Sequence, residues 1–142
     1  MALKLDRLKG LIYDFLIILT RRLIMDQSNP NLSIEYIDSV TVAVPTDAKI
    51  LDEEQIQALE KTFMPLIEQT NGIRLLIDFS NVQFLTSSVL GLLIRINRKV
   101  LQSEGRLRLC CIDPKILEIF KITRLDKVFE LYQDRQQALE GF

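Results

Sequence analysis

Residues 78–91 read DFSNVQFLTSSVLG. Leading into them, IRLLIDF (residues 73–79) is a short, continuous apolar run of the kind a strand shows when both faces of its sheet are covered. A short extended piece, VQFL, follows Asp78. Three hydroxyl residues, Thr86-Ser87-Ser88, then precede the longest clean helical pattern in the chain, from about Val89 to Ser103, closed by Gly105. A buried strand that runs through a loop into a helix is one step of a strand–helix alternation. Repeated along the chain, that alternation predicts an α/β domain with a largely parallel or mixed sheet.

The pattern repeats on both sides. Upstream, SIEYI (33–37) and SVTVAVP (39–45) are runs rich in β-branched residues that meet at Asp38-Ser39, which predicts a strand pair. DEEQIQALEKTFMPLIEQTNG (52–72) reads as a helix. Asp52 with Gln55 three residues later makes a capping box, and Gly72 supplies a stop. Ile56, Leu59, Phe63, Leu66 and Ile67 form its core face, and Pro65 is expected to kink or break it. Downstream, RLRLCCI (106–112) is a strand and PKILEIFKIT (114–123) a short helix opened by proline. KVFELY (127–132) is a last strand, and DRQQALEGF (134–142) closes the chain as a helix. The expected fold is α/β: a mixed sheet of about five strands with about four helices.

The first 25 residues differ from the rest. MALKLDRLKGLIYDFLIILTRRLIM contains an apolar run, but Asp14 lies within it and Arg21-Arg22 follow, so it lacks the roughly 20 uninterrupted apolar residues of a membrane span. As a helix over residues 3–24, it would gather Asp6, Lys9, Gly10, Tyr13, Asp14, Thr20 and Arg21 into a polar stripe. Leu5, Leu8, Leu11, Ile12, Phe15, Leu16, Ile18, Leu19 and Leu23 would form a broad apolar face. Such a face is expected to pack on its own domain or on the same helix of a second copy, giving a homodimer. A membrane-surface role ranks below both. Met25 opens an alternative start, MDQSNPNLS, in which case residues 1–24 would not be translated. Residues 26–32 read as a linker to a domain spanning 33–142.

Composition narrows the function. Eighteen basic residues against nineteen acidic ones leave a formal charge of −1, which builds no field for nucleic acid. The chain has no histidine, which removes Ser-His-Asp, Cys-His and histidine-ligated zinc sites together. Its two cysteines, Cys110 and Cys111, are adjacent in a predicted strand. Neighbouring strand side chains point to opposite faces, so a mutual disulfide is not expected and the pair reads as small core residues in a reducing, cytoplasmic setting. No catalytic constellation, metal centre or cofactor site is expected.

The hydroxyl cluster has two readings. Ser87 or Ser88 can simply cap the helix. Alternatively, because neither choice closes a capping box with a Glu and the first turn has no carboxylate, the helix start remains open to an anion or to a phosphate carried on Ser87. Within the helix, Leu90, Leu93, Ile94, Val100 and Leu101 lie at core-facing spacings. Val89, Leu92 and Ile96 form a second apolar row, to be covered either by a neighbouring helix or by a partner that docks beside the serines.

DFSNVQFLTSSVLGLLIRIN resembles the signature of STAS domains, the sulfate-transporter and anti-sigma-antagonist fold: an aspartate-hydrophobic pair, then a hydrophobic residue, Asp-Ser-Ser-Gly, and Leu-Gly. GRLRLCCIDPKILEIFKITRLDKVFELYQDRQQAL is similar to the family's last strands and helices, so the resemblance covers about Ser33 to Leu139. It implies a mixed sheet with helices packed mainly on one face. It also implies a non-enzymatic anti-sigma factor antagonist, which binds a serine kinase that doubles as an anti-sigma factor and is switched off by phosphorylation. By position, Ser87 matches the phosphate-accepting serine, Ser88 its neighbour, Leu90-Gly91 the Leu-Gly pair and Asp78 the strand aspartate. Thr86 stands where the antagonists usually carry aspartate, and Val89 where they carry glycine. Pro45-Thr46-Asp47 replaces the family's Gly-Glu-hydrophobic-Asp turn, with Asp47 in the place of its acid. The resemblance thus implies a partner-binding set of Asp47, Asp78, Thr86, Ser87, Ser88, Val89 and Leu92. The departures at Thr86 and Val89 favour an alternative, a constitutive scaffold or small-ligand-sensing adaptor without a phospho-switch.

Overall fold

The computed structural model describes residues 31–142 and, before them, only Ile12 and Leu16, each at a helical position. The amphipathic helix expected over residues 3–24, its dimer-forming face and the start at Met25 lie outside the described residues, as does most of the linker.

Asn31–Phe142 forms one compact unit. Strands β1 (Leu32–Ile37) and β2 (Val40–Pro45) pair antiparallel through the two-residue turn Asp38-Ser39, with Ile37 opposite Val40. Asp38 adopts a φ of 53°, a left-handed conformation that Asp tolerates better than most residues. Strand β3 (Lys49–Ile50) and helix α1 (Glu53–Glu68) follow, then β4 (Arg74–Asp78), β5 (Phe84–Leu85) and α2 (Ser87–Gln102). Strand β6 (Arg106–Cys110), helix α3 (Pro114–Ile122), a 3₁₀ turn at Leu125–Lys127, β7 (Glu130–Tyr132) and α4 (Arg135–Leu139) complete the unit. The main sheet runs in the order β1-β2-β4-β6-β7 and is parallel after the first pair, so the expected mixed sheet with four helices is found.

Each parallel step moves the same way along the sheet. Right-handed crossovers therefore place α1, α2 and α3 on one face. That face buries Ala43, Leu75, Ile77, Leu107 and Leu109. The alternate residues Val40, Val42, Val44, Leu76 and Cys110 face the other way and pack with Ala138 of α4. Arg108 lies on this second face. Its buried guanidinium donates to the carbonyls of Ala138, Glu140 and Gly141 and sits against the rings of Tyr132 and Phe142, which ties α4 down.

Two local expectations change. Helix α1 is not broken at Pro65. Pro65 is exposed near the helix end, where water can take the carbonyl it leaves without a donor. The residue that turns the chain after α2 is Glu104, at φ 60°, rather than Gly105. Gly105 is required by close approach instead, since a Cβ there would stand 2.5 Å from the Ile73 carbonyl oxygen.

Candidate functional site at the start of α2

Parallel strands β2, β4, β6 and β7 all end at one edge, and ligands of open α/β sheets gather beyond such carboxyl ends. Helix α2 starts there. Its cap is Thr86, one residue before Ser87 and two before Ser88, the serines expected in that role, in an extended conformation that continues β5. The Thr86 side chain makes no capping bond, and its buried Oγ1 has no hydrogen-bond partner. Ser87 and Ser88 are therefore the first two helical residues, and both are exposed. The first N–H groups of a helix have no partner within it. No acidic residue lies in this first turn. A phosphoryl group on Ser87 would sit by the positive end of the dipole, a placement worth about 0.3–1 kcal/mol at an exposed site.

Beside the serines lies a feature that sequence reasoning missed. Strands β3 and β5 pair as a small parallel ribbon, with Lys49 opposite Phe84 and Ile50 opposite Leu85. Gln83 and Phe84 donate N–H bonds to the Ala48 carbonyl, at 2.8 and 3.1 Å, and Asn81 Nδ2 donates to the Pro45 carbonyl. The ribbon turns Ile50 inward and leaves Phe84 48% and Leu51 54% exposed, with Lys49 Nζ 5.5 Å from the Phe84 ring centre. The signal was present in VQFL: an extended piece with adjacent Phe84 and Leu85 must turn one of them outward. Asp47 belongs to the same edge. It is half-buried and accepts a 3.1 Å bond from Gln55 Nε2, so α1 orients it.

The apolar row on α2 is core. Val89 is 2% exposed, Leu92 1% and Ile96 fully buried, so none of them presents a docking surface. Two residues assigned to the core stripe, Ile94 and Leu101, are the ones left exposed. The buried face runs through Val89, Leu90, Leu92, Leu93, Ile96 and Val100, so the expected Leu90, Leu93 and Val100 are core and the second row joins them. In this rotation ion pairs also run from α2 to α1, from Arg95 to Glu60 and from Lys99 to Glu68.

Asp78 lies beneath the edge. It is buried, its Oδ1 accepts from the Ser80 N–H at 2.8 Å and its Oδ2 from Arg135 Nε at 2.8 Å. Arg135 also bonds Glu35. Burial alone would push the Asp78 carboxyl up, but the Ser80 N–H and the Arg135 guanidinium together outweigh it and hold the carboxyl below its ordinary value. Asp78 thus fixes the loop that leads to β5 and fastens it to α4. Among the described residues, a set able to offer metal ligands is Asp78 with Cys110 and Cys111, whose ligand atoms all lie within 4.8 Å of one another.

The structure thus describes a sheet-and-helix module whose open end carries exposed serines at an acid-free helix start, three residues after the exposed Phe84. Residues 31–138 match the STAS domain family model, and the chain belongs to that family. It is 21% identical over 111 residues to BtrV, a candidate anti-sigma factor antagonist of Bordetella bronchiseptica, covering 78% of this chain and 93% of BtrV. The solved structure of an anti-sigma factor antagonist (STAS) domain protein from Planctomyces limnophilus superposes with a TM-score of 0.70 at 26% identity, over 76% of this chain and 94% of that one. An anti-sigma factor antagonist from Mycobacterium paratuberculosis gives 0.67 at 29% identity, over 79% and 95%. Among the described residues, no helix is long and apolar enough to cross a membrane.

Proposed function

We propose that this chain is a cytoplasmic anti-sigma factor antagonist that binds a serine kinase acting as an anti-sigma factor, and that phosphorylation of Ser87 ends the binding. One observation carries this reading: Ser87 is exposed at the first turn of a helix with no acid of its own, three residues after the exposed apolar Phe84 of the β3–β5 ribbon. An apolar patch can be covered by a partner with favourable burial. A phosphate of about −2 charge placed at its border would then have to be desolvated, which weakens the complex. Asp47, Thr86, Ser87 and Ser88 would meet the partner at the surface. Asp78, Val89 and Leu92 would serve from below, by holding the loop and the helix in place. The apolar face in the sequence of residues 3–24 would add a contact between two copies of the chain.

Thr86 favours a second reading. Without the carboxylate usual at this position, the module would work as a constitutive scaffold with no switch. The two readings separate on Ser87 variants tested against the kinase partner. Ser87→Glu should weaken binding, incompletely because a carboxylate brings less charge than a phosphate. Ser87→Ala should bind as wild type does and no longer respond to kinase and ATP. Equal affinity for all three, with no effect of kinase on the wild type, would make Ser87 structural.

A further inference from the structure

The geometry points to a binding site for one thiophilic divalent cation of the zinc class, held by Cys110 Sγ, Cys111 Sγ and the Asp78 carboxylate. The site lies under α4, on the opposite face of the sheet from α2. Strand alternation would send adjacent cysteines to opposite faces. That alternation ends at Cys110, the last residue of β6. Cys111 takes a φ of 60°, an uncommon conformation for a residue other than glycine, and the reversal brings its sulfur 3.6 Å from that of Cys110.

This spacing suits an ion better than a disulfide. An S–S bond is about 2.0 Å long and normally joins Cα atoms more than about 4.4 Å apart, whereas consecutive Cα atoms across a trans peptide are about 3.8 Å apart. Two thiolates each about 2.3 Å from a tetrahedral zinc ion stand about 3.8 Å from each other. The carboxylate completes a three-ligand set within 4.8 Å and leaves a fourth position for water. Asp78 is already oriented by the Ser80 N–H and by Arg135, the kind of outer partner that ligating carboxylates have. Binding releases the two thiol protons, and the three negative charges of two thiolates and a carboxylate then meet a dication and the Arg135 guanidinium, which Asp78 shares with Glu35. Cys111 is half-buried and borders solvent, which gives an ion a way in.

Cobalt(II) is the probe. The fully reduced full-length chain, titrated without oxygen, should bind one Co²⁺ per chain, with a sulfur-to-metal charge-transfer band and the intense visible bands of four-coordinate cobalt. One equivalent of Zn²⁺ should displace it. Cys111→Gly suits the left-handed backbone there and should keep the far-ultraviolet circular dichroism of the wild type, while Co²⁺ affinity falls at least about tenfold and the charge-transfer band is lost. Absence of the band in the reduced wild type at stoichiometric Co²⁺ would overturn the assignment. So would an unchanged band in a folded Cys111→Gly variant.

Discussion

Helices α1 and α2 lie against each other and are each 16 residues long, yet they begin in opposite ways. At α1, Asp52 Oδ1 accepts the Gln55 N–H, and Gln55 Oε1 accepts the N–H groups of Leu51 and Asp52. Glu53 and Glu54 place negative charge in the same turn. That start is closed: side chains take three of its N–H groups and its dipole is met. At α2, Thr86 gives no side-chain bond, the first turn has no acid, and two serines face solvent. One chain supplies both a capped and an uncapped start, so the open one is not a general weakness of its helices. It is the place where an added phosphate meets donors rather than carboxylates.

The largest effect that tests this contrast concerns what holds α2 in place. Leu92→Ala removes a buried side chain beneath the site and should cost about 2–5 kcal/mol, read as a lower denaturant midpoint with an unchanged slope. Ile94→Ala, on the exposed side of the same helix, should change stability far less. Equal costs would mean that the helix is rotated from the position described.

The caps come next. Asp52→Ala should destabilise the domain by about 0.5–2 kcal/mol. Thr86→Ala should be neutral or slightly stabilising, because no capping bond is lost and a buried hydroxyl without a partner is removed. Thermal melts of the two variants side by side check the asymmetry, and a matching loss at Thr86 would erase it. Thr86→Asp should add a cap and gain about 1 kcal/mol. The smallest effect belongs to the Arg95–Glu60 pair, half exposed at 3.1 Å, where Arg95→Ala should cost less than about 1 kcal/mol and lose its effect in high salt.

Much of this was legible in the residues because the signals were local. The Asp38-Ser39 turn, the Asp52–Gln55 box, the proline at the start of α3 and the helix start at the hydroxyl cluster each depend on neighbours in sequence. What stayed hidden depends on contacts between distant segments. The rotation of α2 depends on which apolar positions meet the rest of the core, and the periodicity alone left two apolar rows to choose between. The ribbon that lifts Phe84 and Leu51 to the surface requires residues 49–50 to find residues 84–85. The burial of Asp78 depends on Arg135, 57 residues away. The Cys110–Cys111 approach follows from one left-handed residue that no composition signal marks.

The central claim is that the open start of α2 is a phosphate-accepting switch, and intact mass spectrometry of the chain from its native cells tests it most directly. Under at least one growth condition, a fraction of the protein should be heavier by one phosphate, and fragmentation should place that phosphate on Ser87. A chain that carries no phosphate under every growth condition, or carries it elsewhere while Ser87 is unmodified, would contradict the account.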